Sequence, residues 1–228
     1  MRVDKVRSFV PVILLAIVAL LCPGWVAAAP ILFNFDHLTG MSFWAGTPIP
    51  SQAQLSTAYL STYGVSFSSG SPFVAVVDLG VGHATSGQNG IGGSRPTGEL
   101  TYDRMLPIVA EFFDPDHPAQ FAVTDYVSVR GDSWGGGQLI TLNAFDKDGI
   151  LMDSFTTVDS GGATLTVSKP GIHAVQFLGT QDSGGVALDD FAFNAVSPVS
   201  PVPEPSTLLL LGSGLAGLGG MVWKRQPS

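Results

Sequence analysis

The stretch GQLITLNAFDKDGILMDSFTTV alternates along its first half: Leu139, Thr141, Asn143 and Phe145 fall on one side, Ile140, Leu142 and Ala144 on the other. A period of two predicts a half-buried strand. Asp146, Lys147, Asp148 and Gly149 supply the turn residues before the pattern resumes, so the whole reads as a hairpin. Shorter apolar runs at 31–35, 73–77, 108–113, 121–129, 163–167, 172–178 and 186–193 are divided by Gly, Pro and Asp. Many short strands with turn signals between them predict an all-β fold, a single antiparallel β-sandwich. One interruption is expected: Leu55, Tyr59 and Tyr63 repeat at four-residue spacing, which predicts a short helix closed by Gly64 before a strand resumes at 65–67.

The two ends break the alternation. At the start, Arg2, Lys5 and Arg7 precede an apolar run at 9–21, and small residues follow at Ala27, Ala28 and Ala29. That is the three-part plan of a secretory signal peptide, 1–28, with the cut expected after Ala28. The single cysteine, Cys22, falls inside it, so the mature chain is expected to hold no disulfide and no cysteine-based zinc site. At the other end, 207–223 is uncharged and opens on four leucines after Thr207. As a helix it would rise about 26 Å, enough to span a bilayer. Trp223 is the expected interfacial aromatic, and Lys224 and Arg225 head a basic cytoplasmic tail at 224–228. Five glycines in this run argue against a helix buried in a water-soluble core. The GSGLAG within it matches a dinucleotide-binding pattern only formally, with no preceding strand and no acid about 20 residues on.

Ahead of the span lies a proline-rich linker, 198–206, containing Pro203, Glu204 and Pro205. This tripeptide, the apolar helix and the terminal basic cluster together resemble the PEP-CTERM sorting signal of Gram-negative bacteria. The resemblance implies an exported protein, anchored transiently in the inner membrane and cut near the motif by an integral-membrane sorting protease of the exosortase type. It further implies a cell surface or extracellular destination in cells that make exopolysaccharide and biofilm. The physics is compatible: a proline-rich segment stays extended, lacks amide donors, and can lie in a protease groove just outside the bilayer. A permanently anchored protein with a proline linker is the competing reading.

Between the ends, 29–197 has the size of one domain. From Ala29 to Val196 it carries 16 Asp or Glu against five Lys or Arg, a net of −11. Such acidity opposes nucleic-acid binding, which needs a basic footprint. ILFNFD near its start, AFDKDG at the hairpin and GVALDDFAF at its end resemble the jelly-roll sandwiches of the galactose-binding-like and carbohydrate-binding-module type. That resemblance implies pairing of the first and last strands and a structural Ca2+ at their seam, with Asp36 and Asp189 as ligands and Asp190 as a third. Calcium takes six to eight oxygens, so loop carbonyls and water would have to complete the site.

Other constellations lead less far. The Asp146–Gly149 fragment fails the EF-hand spacing, because Ala144 and Phe155 stand where ligands are required. Asp114-Pro115-Asp116-His117-Pro118 reads as a loop, and His37, His83 and His173 lack zinc-site spacing. GDSW, 131–134, has no nucleophile-elbow glycine pattern, and the Arg130-Gly131-Asp132 tripeptide arises easily by chance. Trp134, beside three glycines, and Trp44, beside Phe43 and Gly46, are the candidate platforms for a sugar ring. Each is equally compatible with a place in the core. The expectation is a non-catalytic, surface or matrix protein that contacts polysaccharide. A secreted polysaccharide-acting enzyme is the alternative, with no pair of acids to nominate for it.

Overall fold

The structure, a computed structural model, describes residues 29–199 apart from 43, 81–82, 98, 134–136, 160 and 180–184. Strands dominate. In chain order they are β1 (Ile31–Phe33), β2 (Met41–Ser42), β3 (Gln54–Leu55), β4 (Val65–Ser68), β5 (Val74–Asp78) and β6 (Asn89–Gly92). Then come β7 (Ser94–Thr97), β8 (Glu99–Tyr102), β9 (Ile108–Phe112), β10 (Ala122–Ser133) and β11 (Leu139–Phe145). The last are β12 (Leu151–Val158), β13 (Ala163–Ile172), β14 (Ala174–Gly179), β15 (Val186–Phe193) and β16 (Ser197–Pro198).

The larger sheet runs β13-β10-β15-β6-β5-β2, with β1 on β15, β16 on β10 and β3 on β5; the smaller runs β12-β11-β14-β9-β4. Their inner faces meet over one core, in which Val127, Val129 and Phe191 of the first sheet join Ile140, Leu142 and Phe177 of the second. The fold is therefore the all-β sandwich that the alternation predicts. Two features depart from a purely antiparallel pair of sheets. β2 runs parallel to β5, and β7 with β8 forms a separate two-stranded ribbon.

The 139–158 hairpin forms as expected, with Ile140, Leu142 and Ala144 fully buried. Its turn is tied by Asp146, whose Oδ1 accepts the amides of Asp148 and Ile150 at 2.9 Å each, while Gly149 takes φ +76°. The helix is shorter than expected. α1 (Leu60–Tyr63) is a single turn, closed as predicted by Gly64 at φ +71°. Leu55 lies outside it, in β3, where it pairs with Val74 and its side chain is buried. A stacked aromatic pair, Phe33 on Tyr59 at 4.3 Å between centroids, ties this corner to the core.

β1 pairs with β15 at Ile31↔Phe193, and β16 pairs with β10 at Ala122↔Pro198. Both ends of the described chain thus leave the sandwich where β15 finishes. Where β15 begins, the amide of Val186 donates to the carbonyl of Arg104 at 2.9 Å. The seven steps from Val186 to Phe193 put these two ends about 23 Å apart.

Candidate functional site

Near Arg104 lies an open groove of about 520 Å3 lined by Ala45, Gly46, Arg95, Thr101, Tyr102 and Asp103. One wall is the turn 44–47. Thr47 donates its amide to the Trp44 carbonyl at 3.1 Å, and the third residue, Gly46, sits at φ +81°, a left-handed conformation that a turn of this shape assigns to glycine. The turn is stitched to the opposite wall by Gly46 N–H to Tyr102 O at 2.8 Å and Tyr102 N–H to Thr47 O at 2.9 Å. Trp44, which opens the turn, is 64% exposed and so is not a core residue.

The opposite wall is the β7–β8 ribbon, in which Arg95 pairs across strands with Thr101. The Arg95 guanidinium forms an ion pair with Asp103 Oδ2, while Asp103 Oδ1 accepts the Met105 amide at 3.0 Å. Tyr102 is the floor, with only 3% of its surface exposed. Its ring occupies space that a side chain at position 92 would need: a Cβ there would stand 2.5 Å from Tyr102 Cε2, so Gly92 is required. Burial pushes the Tyr102 phenol up to about 12; Arg104 opposes the shift and Asp103 adds to it. The groove thus combines a fork of N–H donors, a carboxylate and a hydroxyl on fixed backbone, and the exposed Trp44 heads the turn that forms one wall.

The first strand and the last long strand pair as the resemblance implies, β1 with β15, and Asp36, Asp189 and Asp190 are engaged by donors of one loop. In β15 the register slips between Val129 and Arg130, which pair with Phe191 and Asp189, so Asp190 is the bulged residue and takes φ +38°. The bulge lets neighbouring carboxylates reach one loop, where a regular strand would send them to opposite faces. Asp189 Oδ2 accepts the amides of Thr85 and Ser86 at 2.8 Å each and the Thr85 hydroxyl at 2.9 Å. Asp190 accepts the hydroxyls of Thr85 and Ser86 at 3.1 Å. Asp36 Oδ1 accepts the amides of Gln88 and Asn89, and lies where a Cβ on Gly87 would be, at 1.9 Å. All three acids therefore hold the loop 85–89. Their partners are N–H and O–H donors; a cation at Asp189 Oδ2 would have to displace them. No group of three or more His, Cys, Asp or Glu is placed to hold a metal among the described residues.

The remaining motifs resolve as local structure. Arg130 and Gly131 lie inside β10, and Gly131 faces the core against Phe177, so the tripeptide does not stand on a loop tip. Asp114 accepts the Asp116 amide and His117 Nδ1 at 3.0 Å each, and the imidazole hydrogen bond holds its carboxyl below the usual range. His37 bonds the Tyr59 hydroxyl, and His173 is buried with Nδ1 3.0 Å from the Ala122 carbonyl. Trp134 lies outside the described residues, as do the signal segment, Pro203, Glu204, Pro205, the 207–223 span, Trp223, Lys224 and Arg225. Among the described residues no helix is long and apolar enough to cross a membrane.

Residues 201–226 match the PEP-CTERM protein-sorting motif. No curated protein matches the sequence. Among solved structures, the chain is similar to an adhesin domain of Lys-gingipain from Porphyromonas gingivalis, at 12% identity over 73% of this chain and 98% of that one, TM-score 0.35. It is similar to the family 11 carbohydrate-binding module of a cellulosomal cellulase from Clostridium thermocellum, at 13% identity over 74% of this chain and 96% of that one, TM-score 0.30. It is also similar to the enzymatically active domain of tailspike protein 4 of bacteriophage CBA120, at 14% identity and TM-score 0.32, where 67% of this chain covers 21% of that one.

Proposed function

We propose that this is an exported protein that waits at the inner membrane on its C-terminal helix until a sorting protease of the exosortase type cuts near Pro203-Glu204-Pro205. Released, it acts at the cell surface or in the extracellular matrix as a non-catalytic sandwich that contacts polysaccharide. The observation that carries this reading is the sorting motif at 201–226, which begins three residues after the sheet-paired β16 ends at Pro198. The orientation of the sandwich supports it. Both chain ends leave from one end of β15, so a domain tethered there turns the Trp44 groove away from the bilayer.

Mass spectrometry of the mature C-terminus tests the sorting step. A terminus near Pro205 is expected; an intact chain ending at Ser228 would make this a standing membrane protein instead.

A further inference from the structure

We propose that the groove between the Trp44 turn and the β7–β8 ribbon is a binding site for a neutral saccharide, with the sugar ring laid against Trp44 and its hydroxyls engaged by Arg95, Asp103 and Thr101. This rests on the polysaccharide-contacting reading above and gives it an address. A volume of about 520 Å3 falls within the range of small-ligand sites, about 300–1,000 Å3. A pyranose offers a flat face of C–H groups and a rim of hydroxyls that both donate and accept. An exposed indole matches the first requirement. The second needs donors and acceptors side by side, which a guanidinium, a carboxylate and a threonine hydroxyl on one wall provide.

Preorganisation favours a site over a surface dent. The two walls come from segments about 50 residues apart, yet three backbone hydrogen bonds lock them together: Gly46 to Tyr102, Tyr102 to Thr47, and Ile49 to Leu100. A ligand entering here would not have to order the backbone, which lowers the cost of binding. Gly46 opens the lip further, since no heavy atom lies within 4 Å of where its Cβ would be.

Charge selects the class of sugar. Arg95 is the cation among the lining residues, and Asp103 neutralises it at contact. The chain as a whole carries a net charge of −8. A uronate or sulfated sugar would meet a compensated cation inside a repulsive field, whereas an uncharged sugar meets only hydrogen-bonding groups.

The test is affinity electrophoresis of the full-length chain in mild detergent, through gels carrying soluble β-glucan, galactan or xylan as neutral probes and polygalacturonate as the acidic one. Retardation by at least one neutral probe is expected. Trp44→Ala and Arg95→Ala should each raise Kd about tenfold, the loss of roughly 1.4 kcal/mol, with thermal midpoints unchanged. Asn143→Ala, on the outer face of the smaller sheet, should bind as the parent does. Retardation by a neutral probe that survives both groove substitutions would overturn this site while leaving the polysaccharide reading intact. Retardation by polygalacturonate alone would overturn the neutral class, and retardation by no probe would bring down the polysaccharide reading with it.

Discussion

The interior of the sandwich and its groove end are held by different forces. In the interior, Phe35, Phe67, Phe112, Phe191 and Phe193 are at most 1% exposed and form a chain of ring contacts, and Phe177, equally buried, belongs to the same core. At the groove end the apolar cluster is smaller, built on Met41, Ile49, Ala53, Ala75, Val77, Leu79, Tyr102 and Ala187. There the shape is set by backbone bonds from the Trp44 turn to the ribbon, and by carboxylates clamping the 85–89 loop. Burial is non-directional and scales with area, while hydrogen bonds fix geometry and contribute little net energy each. The interior therefore carries stability, and the groove end carries form.

The sharpest way to break that division is to overfill the interior. Gly131 in β10 faces Phe177 in β14 from the other sheet, and a Cβ there would stand 2.2 Å from Phe177 Cζ. The ring is 1% exposed and has nowhere to go. Gly131→Ala should cost about 3 kcal/mol, read as a fall in the urea midpoint without change in m. Adding Phe177→Leu should recover part of the loss, because the two sites share one volume. A midpoint unmoved by Gly131→Ala would mean that the sheets do not interlock here.

The same division explains what the sequence discloses. The 139–158 hairpin is legible because the apolar positions of its first strand repeat at period two, and the strand 186–193 because it is a short apolar run. Strands β6, NGIG, and β7, SRPT, are not, since glycine and proline carry no alternation; tertiary pairing with β5, β15 and β8 makes them strands. β10 is legible only to Val129, because its last four residues, Arg130 to Ser133, are polar or glycine. The groove is half legible. Trp44 stands out in the sequence, but only the fold brings Arg95, Thr101 and Asp103 opposite Ala45 and Gly46 of its turn. Likewise, the jelly-roll resemblance puts Asp36 and Asp189 at one seam but cannot reveal the 85–89 loop that both of them grip.

At the groove floor, Tyr102 tests whether form and stability separate. Burial raises its phenol from 10.0 to about 12. Below pH 10 the phenol is neutral in folded and unfolded chains alike, so its contribution is fully present. As pH rises the unfolded chain ionises first, and about 2–3 kcal/mol should drain away by pH 12. Burial also raises Tyr59, which adds to the loss. In alkaline urea titrations Tyr102→Phe should lose less than the parent; identical slopes for the two would show that Tyr102 is not buried in solution.

The carboxylate clamp should have an intermediate effect. Asp189→Ala leaves the Thr85 and Ser86 amides without their acceptor, at a cost of about 2 kcal/mol. Faster hydrogen exchange confined to 85–89 is the expected signature, with Asp189→Asn milder because it keeps an acceptor. Chelation tests the calcium expectation attached to Asp36, Asp189 and Asp190. A clamp made of N–H and O–H donors should melt at the same temperature with and without chelator, whereas a drop would place a cation among the three acids.

The smallest effect belongs at the opposite end, in the loop where the chain leaves. The hydrogen bond from His117 holds the Asp114 carboxyl below 3.8, with the Asp116 amide assisting. A depressed carboxyl stabilises the folded chain above its unfolded value, and that contribution is lost as pH falls through the folded one. His117 is largely exposed, so water screens the pair and the total stays small. Thermal midpoints of the parent and a His117→Ala variant should differ slightly near neutrality and converge as the pH falls from 3.8 through the lowered folded value. A difference that persists into strong acid would mean that His117 acts by packing, and that this end of the sandwich, like the interior, is held by contact rather than by charge.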